Sequence, residues 1–226
     1  MDQNKIDGYT FQNASLLRLA LTHTSYANEK RQTHLQSNQR LEFLGDSVLS
    51  VVVSDYIYKK FPDMPEGELT KVRASVVCEA TLAKCAAALH LGERLYLGRG
   101  EEMTGGRTRE SVLADAFEAV LAAIYLDAGM QQARQFVLHH LEPYITPHLV
   151  DELNTDYKTV LQELVQQTPD HTIRYEIRGE SGPDHDKVYQ IAVLVDGKEC
   201  GRGTGKSKKR AEQNAARQAI DIWKRK

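Results

Sequence analysis

The feature that most narrows the fold is an apolar run, Leu41 to Ile57, that carries two acids. Leu41, Leu44, Val48, Val51 and Val52 recur at helical spacing. Glu42 and Asp46 stand four residues apart, so they share one face of that helix. Like charges at that spacing weaken a helix by about 0.2–0.5 kcal/mol. Carboxylates seldom sit in so apolar a run unless something compensates them. Either an Arg or Lys, or a divalent cation, would do so. For this pair alone, a solvated acidic stripe on a core helix is an adequate account.

A second stretch changes the balance. Glu110 to Leu121 is again helical and rich in Ala, and Asp115 and Glu118 lie three apart on one face. Two helices, each with an acidic pair in apolar surroundings, can face each other and form a cluster of four carboxylates. A hard cation such as Mg²⁺ takes oxygen ligands and leaves positions open for water and substrate. Separation along the chain says nothing about whether packing brings the pairs together.

Arg40-Leu41-Glu42-Phe43-Leu44-Gly45-Asp46-Ser47-Val48-Leu49 resembles the signature of the ribonuclease III family, and Glu110 to Glu118 resembles its second acidic motif. The resemblance also covers Leu21-Thr22-His23-Thr24-Ser25-Tyr26 and Glu66-Gly67-Glu68-Leu69-Thr70, and ends in a segment similar to a double-stranded-RNA-binding domain. Several independent motifs in the family's order are more specific than any one of them.

Charge distribution says more than net charge. The 226 residues sum to −2, which by itself argues against a generally basic nucleic-acid binder. Residues 1–150 carry 15 basic and 18 acidic side chains, whereas residues 198–226 carry 10 and 3. The positive charge is therefore a local patch, as a phosphate-binding surface requires. Cys78, Cys85 and Cys200 are odd in number and lack C-x-x-C spacing, so they read as reduced thiols. No signal peptide precedes Asn13 and no apolar run reaches membrane length, so a soluble, cytoplasmic protein without membrane contact is expected.

The expected fold class is α+β multidomain, with an all-α domain over 1–150 and an αβββα domain over 151–226. Asn13 or Ser15 caps a short helix over Leu16–Leu21, and His23 is expected to be a buried, hydrogen-bonded histidine. Residues 27–39 read as an exposed loop. Pro62 and Pro65 end the first acidic helix, and a helical stretch runs from Leu69 to Leu89. Residues 98–109 lack the preceding strand of a nucleotide-binding loop and read as a mobile, charged loop in which Arg107 and Arg109 are solvated or touch phosphate. Gly129 caps the second acidic helix, and another covers about Gln131 to Tyr144.

Beyond the linker around Asp151–Thr155 the pattern shifts. An amphipathic helix over Asp156–Gln167 precedes strands with alternating Ile173, Tyr175, Ile177 and Tyr189, Ile191, Val193, Val195. Asp196-Gly197 is a hairpin signal, and a third strand covers about Lys198 to Thr204. Ser207 caps a final helix with Ala211, Ala215, Ala216, Ala219, Ile220 and Trp223 inward. Lys206, Lys208 and Lys209 crowd its start, where cations oppose the dipole. A chain selected only for stability would place acids there, so a phosphate site is the better reading.

The resemblance implies an Mg²⁺-dependent endoribonuclease (Mn²⁺ substituting) that cleaves double-stranded RNA and needs no organic cofactor. Glu42, Asp115 and Glu118 would hold the metal, Asp46 and Glu118 would be catalytic, and Asp46, Glu66 and Gln39 would stand near the metal. Many family members carry Glu where this chain has Gln39, so an outer role at most is expected there. Gln162, Glu163 and His185 would reach minor grooves and their 2′-hydroxyls. A homodimer, 5′-phosphate and 3′-hydroxyl products with short 3′ overhangs, and processing of ribosomal, messenger and transfer RNA precursors are implied likewise. The rivals are a non-catalytic RNA-binding protein and a phosphohydrolase for small substrates.

Overall fold

The structure is a computed structural model. It describes residues 4–31, 33, 36–146, 149, 156–166, 171–183 and 187–223. The chain divides into two compact units, Met1–Leu153 and Asn154–Lys226.

Among the described residues the first unit is mostly helical, with a hairpin of β1 (Lys5–Ile6) and β2 (Tyr9–Thr10) at its start. Asp7 and Gly8 form its turn at φ 45° and 78°, a conformation in which Asp and Gly are the tolerant residues. The domain is helical as expected, and the hairpin left no trace in the periodicity because a two-residue strand is too short to show alternation. Helices α1 (Ala14–Ala20) and α2 (Thr24–Glu29) follow. Asn13 caps α1 by accepting the Ser15 N–H, as expected. His23 caps α2: its Nδ1 accepts the Ser25 N–H at 3.3 Å and pairs with Ser25 Oγ at 2.8 Å. The ring is half-buried rather than buried.

Residues 27–39 are not simply an exposed loop. α2 takes the first of them, while Ser37 and Asn38 are 1% and 2% exposed; the Asn38 N–H donates to the Thr22 carbonyl. Helix α3 (Gln39–Lys60) then runs as the apolar periodicity requires. The stretch Leu69–Leu89 is two helices, α4 (Glu66–Val76) and α5 (Glu79–Ala88). The β-branched pair Val76-Val77 favours a break. Cys78 turns extended there, with its Sγ 3.4 Å from the Ser75 carbonyl.

The charged segment 98–109 is structured as well. It forms α7 (Arg99–Met103), after the short α6 (Leu91–Arg94), and a single turn at Gly106–Thr108. Arg107 donates to the carbonyls of Gly92 and Leu95 at 2.8 and 2.9 Å and to Glu102 at 2.7 Å, while Arg109 pairs with Glu101. Both guanidiniums are internal staples, a role that composition cannot distinguish from phosphate binding.

Helix α8 (Glu110–Leu141) breaks at Gly129, where φ is 81° and ψ −179°. The second half folds back on the first, bringing Phe136 against Phe117 with ring centroids 5.3 Å apart. Leu49, Val53, Phe117, Leu121 and Ile124 are fully buried where α3 meets α8. Each such side chain contributes about 1.5–3 kcal/mol of transfer free energy.

The second unit is α9 (Tyr157–Gln166), β3 (Ile173–Ser181), β4 (Val188–Val195), β5 (Lys198–Gly205) and α10 (Lys208–Trp223), in the expected αβββα order. The sheet is antiparallel with order β3-β4-β5, pairing Ile177 with Ile191 and Ala192 with Arg202. Asp196 and Gly197, at φ 53° and 75°, turn the second hairpin. Leu161, Val165, Val193, Val195, Ala215, Ala216, Ala219 and Ile220 form a separate core. α10 lies close on β5 because Gly203 lacks a side chain. A Cβ there would overlap the Ala211 and Ala215 backbone. The side chain of Trp223 lies outside the described residues.

Candidate metal centre and nucleic-acid interface

Helices α3 and α8 cross at Gly45. A Cβ on Gly45 would lie 3.0 Å from the Glu118 Cα and inside contact distance of its carbonyl, so the two backbones touch only because the residue is glycine. The crossing places the faces of both acidic pairs together. Glu42, Asp115 and Glu118 are each half-buried and can each offer one carboxylate oxygen within 4.8 Å of the others. Asp46 stands at the exposed edge, outside that trio but close enough to act on Glu42 and Glu118.

The electrostatics follow from this crowding. Burial, and then the charges of Asp46, Asp115 and Glu42, push the Glu118 carboxyl up to about 8 from an ordinary 4.5. Burial, with Asp115 and Asp46, raises Glu42. Burial raises Asp115 too, with Glu79 adding to the shift and His23 opposing it. Like charges forced together in a partly dry site favour neutral forms. A divalent cation relieves the same repulsion, and an all-oxygen donor set suits a hard cation. The donor set therefore fits Mg²⁺.

Glu79 and His23 belong to this neighbourhood too; Glu79 carried no distinct sequence signal, and His23, inside the run Leu21–Tyr26, read as a structural histidine. An acid at the start of α5 is explained by the helix dipole, and a capping histidine by its cap. Gln39 opens α3 and is exposed. Glu66 opens α4, where its carboxylate accepts the Thr70 hydroxyl at 2.9 Å. It lines a cavity of about 400 Å³ with Ser54, Tyr58, Leu69 and Arg73, and it is not part of the carboxylate trio.

In the second unit, Lys208 and Lys209 lie exposed in the first turn of α10, and Lys206 is exposed just before it. The Ser207 hydroxyl caps that helix, accepting the Arg210 N–H at 3.2 Å. The Lys208 ammonium lies 5.6 Å from the Tyr189 ring centroid, within cation–π range. Gln162 and Glu163 are exposed on α9. Gln162 lines a cavity of about 240 Å³ with Lys158, Gln166, His171 and Tyr175. The Tyr175 hydroxyl is buried there without a hydrogen-bond partner among the described residues. His185 lies outside the described residues.

Residues 13–145 match the family described as Ribonuclease-III-like, and residues 157–222 match the double-stranded RNA binding motif. Ribonuclease 3 of Pelotomaculum thermopropionicum is 53% identical over 94% of this chain and 88% of its own. Ribonuclease 3 of Listeria innocua is 48% identical over 95% and 93%. The nuclease domain of ribonuclease III from Campylobacter jejuni, solved with structural flexibility in a region involved in dimer formation, aligns with a TM-score of 0.56. It is 41% identical and covers 60% of this chain and 90% of its own.

Proposed function

The chain belongs to the ribonuclease III family and is a double-stranded-RNA endoribonuclease, and on that premise we propose that its phosphodiester hydrolysis depends on Mg²⁺, or Mn²⁺ in its place, held by Glu42, Asp115 and Glu118. The observation that carries this reading is the convergence of three half-buried carboxylates from two helices within 4.8 Å. Residues 1–150 form the nuclease and residues 151–226 bind the duplex. A bound cation supplies Lewis-acid activation of water and neutralises charge on the phosphate. The chain's own residues set up that chemistry. Glu42 and Glu118 present oxygens from facing helices. Asp115, beside His23 and Glu79, is the carboxylate whose charge the surroundings both oppose and support. Asp46, at the solvent edge, would act with Glu118 as a catalytic carboxylate, orienting water and accepting its proton.

Lys206, Lys208 and Lys209 would bind phosphate, and Gln162, Glu163 and His185 the minor groove; A-form shape rather than base sequence would be read. The products would carry 5′-phosphate and 3′-hydroxyl ends with short 3′ overhangs. Structured precursors of ribosomal, messenger and transfer RNA in the cytoplasm would be the substrates. No helix among the described residues is long and apolar enough to cross a membrane. Cleavage of a uniform duplex in Mg²⁺ against EDTA, with the ends mapped, tests this reading. Cutting that persists undiminished in EDTA overturns it.

Paired cuts on opposite strands require two centres, and α3 offers a face for a second copy. Phe43, Val51 and Tyr58 recur at spacings of eight and seven on one side of the helix and are 77%, 58% and 70% exposed. An apolar stripe of this kind marks an interaction surface. Glu66 lines a cavity with Tyr58, so it would lie beside that interface. Phe43→Glu should shift the protein from dimer to monomer in sedimentation and reduce double-strand scission. An unchanged sedimentation coefficient would rule this face out.

The division of labour predicts a second outcome. Lys208→Ala with Lys209→Ala should weaken binding to unrelated duplexes alike. Each lost phosphate contact should flatten the log–log salt slope by about one. An unchanged slope means that these lysines touch only water.

A further inference from the structure

We propose that Asp7, His139 and His140 form a second metal site, selective for a Zn²⁺-class transition-metal ion, that fastens the N-terminal hairpin to the second half of α8. The three residues offer one ligand atom each within 4.8 Å of one another. His140 Nε2 lies 2.9 Å from Asp7 Oδ2, and His139 Nε2 lies 4.0 Å from the same oxygen. A tetrahedral ion with bonds of about 2.0–2.1 Å holds its ligand atoms roughly 3.3 Å apart, between those two distances. His139, with its side chain 71% exposed, is free to make the adjustment.

The donor chemistry differs from that of the carboxylate centre. Two imidazole nitrogens and one carboxylate oxygen suit Zn²⁺, whereas Mg²⁺ prefers oxygen alone. The surroundings hold the ligands in place. The Asp7 carboxylate projects from the left-handed turn toward the helix. The His140 ring is edge-on to Phe117 and Phe136, with centroids 6.0 and 4.8 Å away, which fixes its plane. A cavity of about 450 Å³, lined by Asp7, Tyr9, Thr10, Gln132, Gln135 and His139 among others, leaves room for water at the fourth position.

The hairpin is already tied to the first half of α8. Asp127 accepts the Gln12 and Asn13 N–H groups at 2.8 and 2.9 Å, along with the Tyr9 hydroxyl. An ion at Asp7 would bind it to the other half, beyond the Gly129 break.

The test uses the full chain with Mg²⁺ at saturation, so that the carboxylate centre is occupied. Zn²⁺ titration should show one tight site per chain. Co²⁺ should give the visible bands of a four-coordinate site without the near-ultraviolet band of a thiolate ligand, which separates this site from the cysteines. At a hundredfold excess over Kd, Zn²⁺ should raise Tm by at least about 5 °C. His139→Gln removes an exposed ligand. Asp7→Asn keeps both an acceptor for His140 and a residue tolerant of positive φ. Each should weaken Zn²⁺ binding more than about 100-fold, with Mg²⁺-dependent cleavage unchanged. No Zn²⁺ uptake by the unaltered protein, uptake undiminished in both variants, or a thiolate band overturns the proposal and leaves an ordinary Asp–His hydrogen bond.

Discussion

Glu118→Gln leaves duplex affinity nearly intact and lowers single-turnover cleavage at saturating Mg²⁺ by at least about 10³-fold, the order expected from losing several kcal/mol of charge stabilisation. Glutamine keeps the shape and one carbonyl oxygen but removes a charge from the trio. A gel shift beside a cleavage time course decides it; affinity lost in parallel with cleavage would refute the separation of binding from chemistry.

The same substitution has a signature in the absence of substrate. In EDTA the folded protein holds the Glu118 proton up to about pH 8, whereas the unfolded chain releases it near 4.5. Between those values the folded state binds more protons, so this group makes stability fall as pH rises from about 4.5 to about 8. Glu42 and Asp115 shift in the same direction and add to the slope. Mg²⁺ competes with the proton, so its stabilising effect should be larger at the alkaline end of that window. In Glu118→Gln the slope should be shallower and the Mg²⁺ effect smaller. Melting curves with and without Mg²⁺ across the window would expose a flat response, which would mean that the carboxylates do not crowd one another.

Gly45→Val is expected to damage both stability and activity without touching a ligand. Its side chain would have to occupy space held by the Glu118 backbone, so α3 must move away from α8. That movement separates Glu42 from Asp115 and Glu118, and a displacement of about 1 Å can cost 10²-fold in rate. Cleavage should fall at least that far at a temperature where the variant is still folded, and Tm should drop. Gly67→Ala in the first turn of α4 provides the contrast. A Cβ there meets nothing within 4 Å, so the change should be neutral or stabilising by up to about 1 kcal/mol with full activity. Equal effects from the two substitutions would sink the close-approach argument.

The N-terminal half shows where local pattern stops informing. The break at Gly129 was legible, because a glycine ending an Ala-rich helical run has few other uses. The break at Cys78 was not, since Val76-Val77-Cys78 is also compatible with a continuing helix. The hairpin at Lys5–Thr10 was equally hidden, because each strand has only two residues. Its attachments, Tyr9 to Asp127 and Asp7 to His140, span more than 100 residues and leave no periodic trace. Arg107 and Arg109 have the local context of loop charges, and only their contacts with distant carbonyls and with Glu101 set them apart.

What the sequence determined by itself was the long, strongly periodic elements and the chemical character of their faces. Periodicities of 3.6 and 2 are local properties, and so are the acidic pairs Glu42/Asp46 and Asp115/Glu118, the lysines at the start of α10, and the αβββα order. What only tertiary structure decided was which faces meet. The helix crossing at Gly45 selects Glu42, Asp115 and Glu118 as the close trio, sets Asp46 at its edge and leaves Glu66 on another face. Tertiary packing also brings in Glu79 of α5 and His23 before α2, whose local roles as helix-start acid and cap conceal their charge coupling to Asp115. The physical reason is range: side-chain spacing sets direction within one element, whereas carboxylate crowding and raised proton affinity arise from approach between elements distant in the chain.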